Sequence, residues 1–101
     1  MDKLLQMIGM AKRAGKLVSG GFLSDKVIKS GESRLIVLSR DISDESRKSI
    51  TDSCKYYNVK YIEYADREQL GKITGGGERT VVSINDSGFA EAVLRIYSAQ
   101  E

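Results

Sequence analysis

The chain has 101 residues, 41% of them hydrophobic and 30% charged, with a formal net charge of +2. It is expected to form one domain, residues 1–101, that buries roughly two thirds of its unfolded surface without disulfide or metal staples. No apolar run approaches the ~20 residues of a membrane span, and the N-terminal order of apolar then basic residues reverses that of a signal peptide; a cytoplasmic protein is expected. Histidine is absent and Cys54 is the only cysteine, which excludes an internal disulfide, a Cys/His zinc site and a His-activated nucleophile. No enzyme, metal or cofactor is expected.

Asp2 reads as the N-cap of a first helix, Lys3 to Ala14, on which Leu4, Leu5, Ile8 and Ala11 recur at helical spacing until Gly15 stops it. Lys16-Leu17-Val18 has room only for a short strand. Ser19, Gly20 and Gly21 then turn the chain into a second helix, Phe22 to Ser30, closed by Gly31, with Leu23, Val27 and Ile28 expected inward. Arg34 to Ser39 is a continuous β-branched and leucine run, the pattern of a strand buried on both faces.

After a polar turn at Arg40-Asp41, Ser43 caps a third helix on which Ile50, Cys54 and Tyr57 share a stripe, and Asn58 ends it. Val59 to Tyr64 reads as a strand near a sheet edge, and Asp66 caps a short helix through Ile73. Thr80 to Ile84 is a second buried strand, and Asp86 or Ser87 opens a last helix carrying Phe89, Val93 and Ile96 or Tyr97. The order αβαβαβαβα, with short connections, predicts an α/β fold: a three-layer α/β/α sandwich around a small, mostly parallel sheet.

Charge is distributed unevenly. Residues 1–31 carry Lys3, Lys12, Arg13, Lys16, Lys26 and Lys29 against Asp2 and Asp25, whereas the middle is balanced and the tail is acidic. A helix N-terminus exposes free N–H groups and a partial positive charge. Gly20 and Gly21 at the start of the second helix, with Lys26 and Lys29 in its following turns, therefore form a candidate phosphate seat. A turn whose lysines serve only solubility is the plain alternative.

Gly75-Gly76-Gly77 with Arg79 makes a second candidate nucleic-acid-facing loop, or a mobile connection. Phe22, at the glycine-opened helix start, is the best placed platform for a base, unless it is a core residue. Gly15-Lys16 lacks the spacing and the hydroxyl of a Walker phosphate loop. Cys54 lies on an apolar stripe and reads as a small buried hydrophobe, and Asp41, Asp44 and Glu45 read as turn and cap chemistry.

Three segments, GESRLIVLSRD (31–41), CKYYNVKYI (54–62) and EQLGKITG (68–75), resemble the kink-turn RNA-binding ribosomal proteins of the archaeal and eukaryotic large-subunit "seven-A-e" and "thirty-e" type. GMAKRAGKLVSG near the N-terminus and INDSGFAEAVL near the C-terminus resemble the small bacterial YlxQ-like branch of that superfamily. The resemblance covers nearly the whole chain. It implies a four-stranded mixed sheet, an RNA partner, ribosomal RNA among the candidates, and a binding edge at the start of the second helix.

Kink-turn binders open that helix with Gly-x-Asn-Glu and place a lysine three residues after the glutamate. Gly20 and Lys26 match, but Phe22 and Leu23 replace the Asn-Glu pair that hydrogen-bonds base edges. The loop before the last strand also departs, being glycine-rich and charged. The phosphate candidates are Lys16, Lys26, Lys29, Arg40 and Arg79. The alternative reading is a protein-interaction module on the same fold that has lost specific RNA recognition.

Overall fold

The computed structural model of the chain describes residues 2–100. Its elements are α1 (Lys3–Arg13), β1 (Leu17–Ser19), α2 (Gly21–Ser30), β2 (Leu35–Leu38), α3 (Asp44–Tyr57), β3 (Tyr61–Glu63), α4 (Arg67–Ile73), β4 (Val81–Ile84) and α5 (Ser87–Ala99). The strands form one sheet in the order β1-β4-β2-β3. β2 and β3 are parallel, while β4 runs antiparallel to both neighbours, with Ser83 opposite Val18 on one side and Ile36 on the other.

The sheet is therefore mixed, as the resemblance implied, and the mostly parallel sheet expected from alternation is corrected. The cause is the short α4 link. Its glycine loop doubles back along the helix until Arg79 N–H donates to Arg67 O at 3.0 Å. β4 thus enters the sheet from the end at which β3 leaves it.

Side chains of the central strands alternate between two cores. Leu35, Val37, Val82 and Ile84 pack with Leu4, Ile8 and Ala11 of α1, Leu70 of α4 and Val93 of α5. Ile36, Leu38 and Val81 point the other way, to Ile28 of α2 and to Ile42, Ile50 and Cys54. Because both faces are covered, β2 and β4 are buried at every position.

Two inward residues are corrected. Leu23 is 45% and Tyr57 42% exposed, because the stripes that face the sheet are Ser24, Val27 and Ile28 on α2 and Ile50, Thr51 and Cys54 on α3. On α5 the buried positions are Ala90 and Val93, with Phe89, Ile96 and Tyr97 packed part-buried around them.

Burial pushes the Cys54 thiol up to about 11, which leaves almost no thiolate at neutral pH. Iodoacetamide at pH 7.5 is expected to leave native Cys54 unmodified and to label it in denaturant. Mass spectrometry checks both, and rapid labelling of the native protein would contradict the packing.

Candidate functional site

The upper end of the sheet is where β1, β2 and β3 finish and β4 begins. Hydrogen bonds tie its connections together: Gly20 N–H donates to Val81 O at 2.8 Å, Ser39 N–H to Thr80 O at 2.9 Å and Arg40 N–H to Ala65 O at 2.7 Å. The N-termini of α2, α3 and α4 all open at this end.

Two of those three N-termini are already satisfied. At α3, Ser43 Oγ accepts from Ser46 N–H at 3.2 Å, and Asp44 and Glu45 occupy the first turn. At α4, Asp66 and Gln69 form a reciprocal capping box, with Glu68 beside it. Elsewhere Asp2 caps α1 and Asp86 caps α5.

α2 differs. Its N-cap is Gly20, no side chain bonds its first N–H groups, and its first turn holds no acid. Among the described residues it is the helix start left open, with the partial positive charge of the helix unopposed.

Phe22 stands 82% exposed on this start. It flanks a cleft of about 290 Å³ that α2 shares with Ser46 and Ser49 of α3 and Thr80. Arg79 lies alongside: its Nε donates to Ser19 Oγ at 3.3 Å and an Nη donates to Glu78 O at 3.1 Å, and it makes no ion pair among the described residues. Lys26 is exposed one turn into α2 and makes no ion pair among the described residues.

The glycine loop is pinned to α4, with Gly75 N–H donating to Lys72 O at 3.2 Å and Gly76 N–H to Gly71 O at 3.0 Å. Gly20, Gly21, Phe22, Lys26, Gly75, Gly76, Gly77 and Arg79 are thus brought to one region. Arg40 reaches the same end but stacks 5.3 Å over the Tyr64 ring, on the β3 side.

Lys29 sits at the far end of α2, 2.8 Å from Asp25. That ammonium holds the Asp25 carboxyl below its usual range, aided by Ser53 and opposed by burial. Lys16 precedes β1 and lies at the opposite end of the sheet.

Two residues of the site escaped the sequence reading. Arg67 donates from its backbone to Asp41 Oδ1 at 3.0 Å and from Nε to Asp41 Oδ2 at 3.3 Å, joining the β2–α3 turn to α4. Its only sequence signal was the place after the cap Asp66. Gly71 looks like an ordinary helical residue in the sequence, yet a Cβ there would lie 2.1 Å from Gly77 O, so its lack of a side chain lets the loop close.

A larger cleft, about 570 Å³, lies elsewhere, between Asp2, Lys3, Tyr64 and Arg95. Burial raises the Asp2 pKa, but the Tyr64 hydroxyl, donating to it at 2.6 Å, and the Leu5 N–H outweigh that and hold it low. No cluster of three or more metal-ligating side chains exists among the described residues. No helix among the described residues is long and apolar enough to cross a membrane.

The chain is 38% identical over 90 residues to the RNA-binding protein YlxQ of Bacillus subtilis (strain 168), covering 89% of this chain and 90% of that protein. It is 32% identical over 102 residues to the large ribosomal subunit protein eL8 of Thermoplasma volcanium, covering 99% and 84%. Among solved structures, a protein of unknown function from Bacillus halodurans superposes with a TM-score of 0.92 at 28% identity, over 97% of this chain and 99% of that one. The Giardia lamblia 15.5kD RNA binding protein shares the fold, with a TM-score of 0.79 at 17% identity over 98% and 88%. The model of the Ribosomal protein L7Ae/L30e/S12e/Gadd45 family matches residues 2–94, from the first helix into the last, and the chain belongs to that family.

Proposed function

We propose that this protein is a non-enzymatic RNA-binding protein that grips structured RNA by its backbone at the upper end of the sheet. The observation that carries this reading is the open N-terminus of α2, flanked by Lys26 and Arg79, in a molecule whose other described helices are capped by side chains. Free N–H groups and two cations without carboxylate partners suit phosphate oxygens. The names of the relatives, an RNA-binding protein and a ribosomal protein, support the same ligand.

Phe22 and Leu23 offer no polar group to a base edge and are both exposed. Backbone contact therefore dominates over base-edge reading at this helix, and the ligands to try first are ribosomal RNA fragments and a kink-turn hairpin.

Lys26→Gln with Arg79→Gln is expected to weaken binding of such RNA about tenfold or more and to lower the slope of log K against log salt by about two, one for each lost phosphate contact. Filter binding across a salt series reads both. Unchanged affinity and slope would remove the α2 end from the reading.

The exposed Phe22 specifically favours a second reading, a protein partner seated on the same apolar start. A complex recovered from lysate that survives nuclease, together with the absence of direct RNA crosslinks to the protein, would select it.

A further inference from the structure

A second cationic surface lies at the lower end of the sheet, opposite the α2 start. β1, β2 and β3 all begin there, and each follows directly on a cation: Lys16, Arg34 and Lys60. Backbone bonds set their places in a row. Asn85 N–H donates to Lys16 O at 2.8 Å, Arg34 N–H to Ile84 O at 2.8 Å and Ile36 N–H to Lys60 O at 3.0 Å. Since β4 lies between β1 and β2, the row crosses three strand spacings, about 14 Å.

These charges are unspent. Lys16, Lys55 and Lys60 are exposed and make no ion pair among the described residues. Among the described residues Arg34 is held by carbonyl oxygens, of Gly31 at 2.8 Å and Ser33 at 3.4 Å. The carboxylates nearby are Glu32, which accepts from Ser30 Oγ at 3.1 Å, Glu91, and Asp86, which caps α5. Open clefts of about 390 and 300 Å³ flank Arg34 on its Lys16 and Lys60 sides.

Complementing helix dipoles accounts for Lys12, Arg13, Lys29 and Lys55, which stand in last turns. It does not account for Lys16, Arg34 and Lys60, which lie outside the helices. α3 also ends here, carrying Tyr56 82% exposed and edge-to-face on Tyr57 at 4.9 Å between ring centroids. An exposed ring at the same end of the sheet as a row of cations suits single strands, through stacking plus backbone charge.

We propose that the lower end is a second RNA surface, which takes a single-stranded segment with its phosphates along Lys16, Arg34 and Lys60 and a base on Tyr56. The protein then holds two RNA segments at opposite ends of one sheet. An acidic protein would match the charges as well, and it is separated from RNA by competition with polyglutamate.

The test uses the full chain and a short fluorescein-labelled oligouridylate, read by anisotropy over a salt series. Lys16→Gln/Lys60→Gln, which removes no contact of the fold, is expected to lower the salt slope by about 1.4, at ~0.7 per contact on a single strand. Tyr56→Ala is expected to weaken binding about tenfold, and Tyr56→Phe to keep it. All three are measured in the Lys26→Gln/Arg79→Gln background, which removes the α2-end cations from the readout.

A wild-type chain that does not bind the probe, or a Lys16→Gln/Lys60→Gln variant that matches its background in affinity and slope, would overturn the proposal. Polyglutamate displacing the probe as well as unlabelled oligouridylate does would reassign the surface to an acidic protein. If Lys26→Gln/Arg79→Gln left structured-RNA binding intact while the oligouridylate results held, the upper site would fail and the lower one would stand.

Discussion

Gly71→Ala is expected to destabilise the protein by about 1–3 kcal/mol, the usual cost of overpacking a filled site. The new Cβ would lie 2.1 Å from Gly77 O and 2.7 Å from Gly77 C. Those atoms are backbone, so no side chain can swing aside. Either α4 or the loop must shift, and the loop is bonded back to α4 through Gly75 and Gly76.

Arg79 lies two residues after Gly77, so under the proposed function RNA affinity should fall together with stability. A melting temperature lowered by about 4–8 °C per kcal/mol is the expected readout for a domain of this size. An unchanged melting temperature would show that the loop does not close on α4 as described.

Gly20→Ala is expected to cost about 1–3 kcal/mol for a different reason. Gly20 has φ 96° and ψ 153°, a backbone region almost confined to glycine. Space is not the difficulty, since no atom lies within 4 Å of its would-be Cβ.

Gly21 is the built-in control. It is the first residue of α2, its surroundings are equally open, and its φ is not positive. Gly21→Ala should be neutral or stabilising by about 0.4–1 kcal/mol, because alanine restricts the unfolded chain. Urea denaturation of the two variants decides the matter, and equal losses from both would contradict the assigned geometry of the turn.

The same pair shows how far the site was legible. The residues Ser19 to Lys29 announce a glycine-opened helix with lysines one and two turns in, and the structure has that helix. Yet nothing in a Gly-Gly dipeptide tells which glycine carries the positive φ; hydrogen bonding of Gly20 N–H to Val81 O, across the sheet, does. Lys26 and Lys29 also look equivalent in the sequence. Asp25, four residues before Lys29, takes one of them into an ion pair at 2.8 Å and leaves the other free.

The order of elements, their ends and most of the core were set locally. Asp2, Ser43, Asp66 and Asp86 cap helices through N–H groups three residues on, and runs such as LIVL have to be buried on both faces. Such signals lie within one turn or one strand, so the sequence by itself determines them.

The direction of β4, the closure of Gly77 on Gly71 and the place of Lys16 beside Arg34 were decided by the tertiary structure alone. Each depends on where the chain goes after a connection, a choice made by packing between residues far apart in sequence. The doubling back of α4 and its loop inserts β4 between β1 and β2. With the strands so ordered, the cations of the first third are divided between the two ends of the sheet, Lys26 near the open start of α2 and Lys16 beside Arg34.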